Sequence, residues 1–282
     1  MRIPIVGAAE LTTLGDEARI LDARSRSAWE KGHLLGSVNA DLEIELSNPG
    51  DPIDGGRHPL PEMARWCSQL GEWGIGRDSA VVIYDASGGA MAACRCWWML
   101  RAVGHEQVAV LDGGLEAATE AGLGTTTETV ETAALGAYPI PAAGGWEAVI
   151  VSADELDAAR ANPETCVIDV RAAGRYRGDS DPYDPNPGHI PGALNFPYDG
   201  NLDEQGLWLP ATALRERYQQ LLDGRRLEDT VVYCGSGVTA CHTLLALEAA
   251  GLEGAKLYVG SWSEWGRSSR SKASVVLQQG SA

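Results

Sequence analysis

Residues 230–241 read TVVYCGSGVTAC and carry the pattern that decides the fold. The β-branched run Thr230–Tyr233 predicts a buried strand, and the apolar segment Ala240–Ala250, ended by Gly251, predicts a helix. A second apolar run, Lys256–Val259, predicts another strand. A strand, a tight loop, a helix and a further strand indicate a βαβ unit in a parallel sheet.

The same order of elements occurs once more near the start of the chain. The sequence predicts a strand at Ala80–Tyr84, a helix at Ala92–Val103 and the next strand at Val108–Leu111. The residue that follows the first of these strands is Asp85, whereas the equivalent residue 149 positions later is Cys234. The two copies therefore differ at the strand end, where ligands bind in open α/β sheets.

Two other segments are repeated at nearly the same spacing. LDARSRSAWEKGHLLGSVNA at 21–40 matches residues 168–196, which begin IDVRAAGRY and end GHIPGALNF, and LDGGLEAA at 111–118 matches YVGSWSEW at 258–265. Three ordered matches indicate a duplicated domain. The predicted fold class is α/β, with two tandem domains of similar fold, each a mainly parallel β-sheet flanked by helices.

The stretch between the two copies is rich in Thr, Ala, Gly and Pro, and its hydrophobic periodicity fades. Such composition is typical of a linker. We therefore expect an N-terminal domain at 1–125, a linker at 126–145 and a C-terminal domain at 146–282.

Composition excludes several classes of function. With 39 acidic and 22 basic residues, the net charge of −17 disfavours binding to nucleic acids and to anionic membrane surfaces. The most apolar window, Ala90–Val103, is interrupted by Arg95 and Arg101 and is too short to span a bilayer. The first residues make a poor secretory signal, so we expect a cytoplasmic protein without membrane or nucleic-acid partners.

The six cysteines form no CxxC pair and have no histidine at the spacing of metal ligands. We therefore predict neither a disulfide scaffold nor a metal site, and we expect no cofactor. Five of the cysteines lie in apolar patterns typical of the core: Cys67, Cys94, Cys96, Cys166 and Cys241.

Cys234 lies instead at the end of a predicted strand, before Gly235-Ser236-Gly237-Val238-Thr239. Two glycines before a helix N-terminus can turn successive N–H groups inward, which makes an anion-binding nest that favours a thiolate. We predict that Cys234 is a nucleophile rather than a small buried hydrophobic residue.

These motifs together resemble the tandem rhodanese-domain sulfurtransferases. The resemblance rests on the duplicated Asp-x-Arg and Gly-His-x-x-Gly patterns, on the strand-Cys-loop-helix and on Gly-Ser-Trp-Ser-Glu-Trp at 260–265. In that family the N-terminal domain is inactive and the C-terminal domain carries the cysteine, which fits Asp85 opposite Cys234. The loop Cys-Gly-Ser-Gly-Val-Thr is similar to that of the mercaptopyruvate branch.

The resemblance implies that Cys234 takes sulfur from 3-mercaptopyruvate as a persulfide and passes it to cyanide or to a thiol such as thioredoxin. It also implies that Arg175 binds the donor carboxylate, together with Gly235, Gly237, Val238 and Thr239 of the loop. Animal enzymes of the mercaptopyruvate branch have a second arginine nine residues after the first. Because Asp184 stands there, we expect a weaker site for the carboxylate.

The resemblance further implies a proton relay between the two domains. Ser236 matches the loop serine of that relay, and His58 in His-Pro-Leu-Pro matches its histidine. For the carboxylate that completes it, Glu43 is preferred over Asp41.

Three alternative functions compete with this one. A thiosulfate sulfurtransferase would use the same cysteine, although such enzymes usually carry basic residues in the loop. A cysteine phosphatase needs Cys-x5-Arg, whereas Ala240 is the sixth residue after Cys234. A non-catalytic persulfide carrier or binding module remains the alternative of a different class.

Overall fold

Two parallel sheets form the centre of the molecule, one in each half of the chain. The computed structural model describes residues 4–15, 18–89, 91–142 and 145–274. The strands are β1 Ile5–Val6, β2 Ala18–Asp22, β3 His33–Leu34, β4 Ser37–Asn39, β5 Ala80–Tyr84, β6 Val108–Leu111, β7 Thr125–Thr126, β8 Cys166–Asp169, β9 Leu194–Asn195, β10 Thr230–Tyr233 and β11 Lys256–Leu257. The first sheet has the order β1-β6-β5-β2-β4, the second has the order β11-β10-β8-β9, and β3 and β7 form a small antiparallel pair.

The connections between the strands contain helices. They are α1 Ala8–Leu14, α2 Arg26–Trp29, α3 Met63–Glu72, α4 Ala92–Ala102, α5 Gly114–Glu120, α6 Ala153–Ala159, α7 Ala173–Arg177, α8 Ala211–Leu222, α9 Thr239–Ala249 and α10 Ser261–Trp265. In the part of the chain that the structure describes, every helix falls short of the length and apolarity that a membrane span requires.

The predicted elements agree closely with these bounds, and the α/β class with two similar domains is confirmed. Strands β5, β6 and β10 have the predicted ends, whereas β11 stops at Leu257. The chain turns after α4 and α9 at Gly104 and Gly251, whose φ angles of 78° and 69° favour glycine.

The duplicated Asp-x-Arg motif has a structural role in both domains. Arg24 pairs with Asp22 at 2.5 Å and donates to the Gly32 carbonyl, and Arg171 pairs with Asp169 at 2.7 Å and donates to the Gly188 carbonyl. Each arginine thus connects its strand to the glycine of the Gly-His motif. A buried pair with its hydrogen bonds satisfied explains why both copies keep the pattern.

The two domains pack against each other through α4 and α9, and one hydrophobic cluster contains residues from both. The stretch between the two domains packs beside α3. The N–H groups of Leu135 and Tyr138 in this stretch donate to the carbonyls of Gly71 and Cys67 in the helix. The boundaries at 125 and 146 stay a prediction. This packing places residues of the first domain beside the loop that follows β10.

Candidate active site

Cys234 follows β10 directly and is only 1% exposed, in the wall of a cavity of about 540 Å³. Residues of both domains enclose this cavity. The first domain contributes Leu42, Glu43, Arg57, His58 and Met91, and the second contributes Arg171, Ala172, Arg175, Tyr183, Tyr198, Cys234, Gly235, Ser236, Val238 and Thr239. The predicted site residues therefore surround one space, apart from Gly237.

The backbone of the Cys234 loop, residues 234–238, is held from behind by the start of α10. The Cys234 N–H donates to Ser261 Oγ at 3.1 Å, while the Cys234 and Gly235 carbonyls accept from the N–H groups of Trp262 and Ser263 at 3.0 and 2.9 Å. These three bonds fix the sulfur-bearing residue without using its side chain. The Gly-Ser-Trp-Ser-Glu-Trp motif is thus part of the support of the site.

Gly237 shapes the loop from the side that faces away from the cavity. Its φ is +73°, and a Cβ there would lie 2.4 Å from the Val259 carbonyl oxygen. Its own carbonyl accepts from Nη1 of Arg95 at 3.1 Å. Gly237 is absent from the cavity lining, and its binding to substrate, which would use its backbone N–H, stays a prediction.

Ser236, His58 and Glu43 form a hydrogen-bonded chain across the domain interface. His58 Nδ1 lies 2.8 Å from Ser236 Oγ, and Nε2 lies 2.8 Å from Glu43 Oε1. Since the carboxylate accepts, Nε2 carries the proton and Nδ1 accepts from the Ser236 hydroxyl. Burial lowers the pKa of His58, the hydrogen bond and charge of Glu43 raise it, and Arg95 and Arg57 lower it.

Asp41, the alternative carboxylate for this proton relay, has different hydrogen-bond partners. It is buried and accepts from the backbone N–H groups of Arg26 and Glu43 at 2.6 and 2.8 Å. Asp41 therefore holds the backbone of Glu43 in position. The structure brings Glu43, and not Asp41, to His58.

Arg175 reaches the cavity from α7, and two carboxylates hold it. Its Nε donates to Asp181 at 3.0 Å, while its Nη2, buried and without a hydrogen-bond partner among the described residues, lies 3.7 Å from Asp184. Asp184 is buried and also pairs with Arg57 and Arg267, both at 2.5 Å.

The expectation that Asp184 makes the carboxylate site weaker stays a prediction, and the structure gives this residue a further role. Its carboxylate accepts from Arg57 and Arg267 and lies 3.7 Å from Arg175, so it is the shared anion of three guanidinium groups. An arginine at this position would place another cation among those groups, so Asp184→Arg would disrupt the cluster rather than strengthen donor binding.

Two arginines of the first domain belong to the site but escaped sequence reasoning. Arg57 lines the cavity, and the fully buried Arg95 donates to the carbonyls of His58 and Gly237, both at 3.1 Å. Arg95 stood out only as a charge inside an apolar helix. A buried guanidinium needs partners, and that need was the available signal.

The equivalent loop of the first domain follows β5 and has Asp85 in place of the cysteine. The Asp85 carboxylate accepts hydrogen bonds from the backbone N–H groups of Ser87, Gly89, Met91 and Ala93, at 2.8 to 3.2 Å. The chain thus supplies its own anion to the nest of this loop.

Comparison with known proteins assigns this architecture to a family. A family model described as "Rhodanese-like domain" matches residues 8–121 and again residues 152–268. The chain belongs to the rhodanese family. The predicted resemblance to tandem rhodanese-domain sulfurtransferases is confirmed.

Relatives of this rhodanese chain extend over most of its length. A Pseudomonas aeruginosa protein named "Probable 3-mercaptopyruvate sulfurtransferase" is 42% identical over 238 residues, which cover 84% of this chain and 82% of that protein. A Mycobacterium tuberculosis protein named as a candidate thiosulfate sulfurtransferase is 38% identical over 93% of each chain. The names of the relatives thus agree on sulfur transfer and differ in the donor.

A solved structure has the same arrangement of the rhodanese domains. The 3-mercaptopyruvate sulfurtransferase from Leishmania major superposes with a TM-score of 0.81 at 30% identity, and the match covers 94% of this chain and 74% of that one. Among the described residues of this chain, no group of three or more His, Cys, Asp or Glu side chains is arranged to hold a metal ion.

Proposed function

We propose that this sulfurtransferase moves sulfane sulfur from 3-mercaptopyruvate to a thiol acceptor or cyanide through a persulfide on Cys234. Cys234 is the cysteine that lines the cavity shared by the two domains. The other five cysteines are buried elsewhere as free thiols.

The first half-reaction transfers one sulfur atom and leaves pyruvate. The Cys234 thiolate attacks the donor sulfur, the carbon–sulfur bond breaks, and its electron pair leaves on carbon as the enolate of pyruvate. The new sulfur–sulfur bond leaves Cys234 as a persulfide. Backbone N–H groups of residues 235–238, which donate no hydrogen bond within the described part of the chain, are available to its negative charge.

Proton transfer accompanies both changes. The persulfide loses the proton that the donor thiol carried, and the enolate carbon takes up one proton to give pyruvate. Ser236 is placed to pass this proton, because its hydroxyl donates to a neutral His58 that Glu43 orients. In the second half-reaction an acceptor thiolate attacks the outer sulfur, and Cys234 leaves as a thiolate.

The choice of donor rests on Arg175. Its Nη2 is a buried donor without a hydrogen-bond partner among the described residues, and it lies beside Gly235, the residue next to Cys234. A planar guanidinium matches the carboxylate of an α-keto acid. Residues 235–239 contain no Lys or Arg, which disfavours thiosulfate as the preferred donor.

The acceptor and the compartment are part of the same proposal. A second thiol, of a small molecule or of a protein such as thioredoxin, can collect the outer sulfur from the cavity. We place this reaction in the cytoplasm, since free thiols are kept reduced there and all six cysteines are free.

The test compares kcat/KM for 3-mercaptopyruvate and thiosulfate with one thiol acceptor in excess. We expect 3-mercaptopyruvate to be preferred by roughly tenfold or more, because only this donor offers a carboxylate to Arg175. Equal or better turnover of thiosulfate would contradict the proposal. Release of one sulfur without repeated turnover would make the chain a carrier.

Variants of α7 provide the matched control. Arg175→Ala should lower kcat/KM for 3-mercaptopyruvate by about 30- to 1,000-fold, equivalent to roughly 2–4 kcal/mol, and that for thiosulfate by less. Arg177, two residues further along α7, pairs with Asp179 and lies outside the cavity lining. Arg177→Ala should leave kcat/KM unchanged for both donors.

A further inference from the structure

The hydroxyl groups of the eight tyrosines differ in their partners. Six of them make a hydrogen bond to the protein at 2.5 to 3.1 Å: those of Tyr84, Tyr138, Tyr176, Tyr218, Tyr233 and Tyr258. The hydroxyls of Tyr183 and Tyr198 have no hydrogen-bond partner in the described part of the chain. Both of these residues line the cavity that contains Cys234, so their hydroxyls are available to a bound molecule.

Tyr198 is the more enclosed of the two cavity tyrosines. It is half-buried, whereas Tyr183 is 63% exposed. Tyr198 begins a short 3₁₀ helix that follows β9, and its N–H donates to the Val170 carbonyl at 3.1 Å. It therefore lies at the carboxyl edge of the sheet that also carries Cys234, where ligands bind in parallel sheets.

The ring of Tyr198 is supported from behind by a neutral histidine. It packs edge-on against His242, with the ring centres 5.3 Å apart. His242 is buried, stacks on Trp208 at 3.9 Å, and has its Nδ1 3.3 Å from the amide nitrogen of Asn201. Burial lowers the pKa of His242 to about 3, so this support carries no charge at neutral pH.

The phenol of Tyr198 remains protonated under the conditions of the reaction. Burial raises its pKa, and the negative charges of Asp199 and Cys234 raise it further. A phenol, whose ordinary pKa is about 10, is also a stronger hydrogen-bond donor than the aliphatic hydroxyl of Thr239 in the same lining. Tyr198 can therefore donate a strong hydrogen bond to an oxyanion in the cavity.

The departing pyruvate needs such a donor. As the carbon–sulfur bond of 3-mercaptopyruvate breaks, its electron pair passes into the enolate, and negative charge develops on the former keto oxygen. Arg175 is assigned to the carboxylate, and the Ser236 hydroxyl donates to His58. A donor that is already oriented towards the keto oxygen would stabilise this charge as it forms.

We propose that Tyr198 is a further catalytic residue, whose hydroxyl donates a hydrogen bond to the enolate oxygen of the departing pyruvate. The hydroxyl keeps its proton, and the proton that completes pyruvate reaches the enolate carbon through Ser236. This inference rests on the proposed function and adds the group that stabilises its leaving group. Thiosulfate releases sulfite, which has no keto oxygen, so the hydroxyl should matter for one donor only.

Tyr198→Phe tests this role, because it removes the hydroxyl and keeps the ring against His242. Without an acceptor, the single-turnover release of pyruvate at saturating 3-mercaptopyruvate should slow by about 100-fold, the usual loss when one donor to a developing oxyanion is removed. The half-saturating donor concentration should change by less than about threefold, since the keto oxygen gains its charge only in the transition state. Sulfite release from thiosulfate should stay near the wild-type rate.

Tyr176→Phe is the matched control. It removes a phenolic hydroxyl of the same domain that donates to the Ala193 carbonyl at 2.7 Å, and Tyr176 lies outside the cavity lining. Both release rates should match those of wild type in this variant, although it loses a hydrogen bond that stabilises the fold.

Two results would overturn the role of Tyr198. One is pyruvate release at the wild-type rate in Tyr198→Phe, with the large loss found instead in Tyr183→Phe or Thr239→Val or in neither. The other is equal slowing of pyruvate and sulfite release in Tyr198→Phe, which would mean that the hydroxyl supports the shape of the cavity. A wild-type preference for thiosulfate, with pyruvate release still slowed selectively in Tyr198→Phe, would overturn the donor assignment and leave this role intact.

Discussion

The loops after β5 and β10 occupy equivalent places in the two domains, but their backbone N–H groups have different partners. Four N–H groups at and after the first loop donate to the carboxylate of Asp85. Those of residues 235–238 donate no hydrogen bond within the described part of the chain. The first nest is satisfied by the protein, and the second is available to a substrate or to a sulfur anion.

This difference indicates that the Asp85 loop contributes to the stability of the first domain, whereas the Cys234 loop of the second domain serves the reaction. The buried Asp85 carboxylate satisfies the N–H groups of its own loop, and the Asp85 carbonyl accepts from Leu115 of α5 as that of Cys234 accepts from Trp262 of α10. The Cys234 loop additionally receives a hydrogen bond from Arg95 of the other domain. Changes around the Cys234 loop should therefore reduce turnover. Changes at Asp85 should reduce stability.

Arg95→Met should have the largest effect on turnover among the variants that probe this comparison. It removes the donors to the Gly237 and His58 carbonyls, so both the loop and the relay lose their alignment. We expect kcat to fall by roughly 30- to 150-fold with little change in KM, equivalent to about 2–3 kcal/mol. Steady-state kinetics with both donors measure this loss.

Arg101→Met is the control for that variant. Arg101 lies on the same helix and also reaches the second domain, where it pairs with Glu248 at 3.1 Å. Its loss should leave kcat nearly unchanged. If both variants lower kcat equally, Arg95 contributes only to domain packing.

Glu43→Gln should have an intermediate effect and should also move the pH profile. The relay needs neutral His58, and burial places its pKa below the ordinary value, so the acid limb of kcat/KM should lie below about pH 6.5. Because Glu43 raises this pKa, Glu43→Gln should shift the limb to still lower pH. The plateau should fall by about tenfold as His58 loses its orienting partner.

The exposed Glu204→Gln serves as the charge-matched control and should leave the profile unchanged. A limb that stays in place or moves to higher pH in Glu43→Gln would remove Glu43 from the relay.

Asp85→Ala should have the smallest effect on turnover and a clear effect on stability. Four backbone N–H groups lose their acceptor, which should lower the free energy of unfolding by roughly 2–4 kcal/mol. Asp85→Asn keeps one acceptor oxygen and should lower it by less. Urea denaturation measures both changes, and a large loss of kcat without a loss of stability would contradict the proposed division between the loops.

Sequence patterns predicted the features that depend on local order. The repeat, the strand ends and the position of Cys234 follow from apolar periodicity and spacing, and the preference for Glu43 agrees with the contact to His58. Contacts between the domains were harder to predict. Arg57 and Asp184 are 127 residues apart and gave no signal in the spacing of either domain.

The partners of Asp184 show why such contacts stay hidden. Asp184 stands where the animal enzymes of the mercaptopyruvate branch have a second arginine, so the local sequence pattern indicated only the loss of a positive charge. The three-dimensional packing brings Arg57, Arg175 and Arg267 to its carboxylate, so the same residue gathers cations rather than removing one.

The most direct test of the account is the intact mass of the protein after incubation with 3-mercaptopyruvate and no acceptor. Wild type and Asp85→Ala should each gain the mass of one sulfur atom, and peptide analysis should locate it on Cys234. Cys234→Ser should gain none, while Cys166→Ala, which removes a buried packing cysteine, should gain it as wild type does. A sulfur retained by Cys234→Ser would contradict the assignment of the loop after β10 as the site of sulfur transfer.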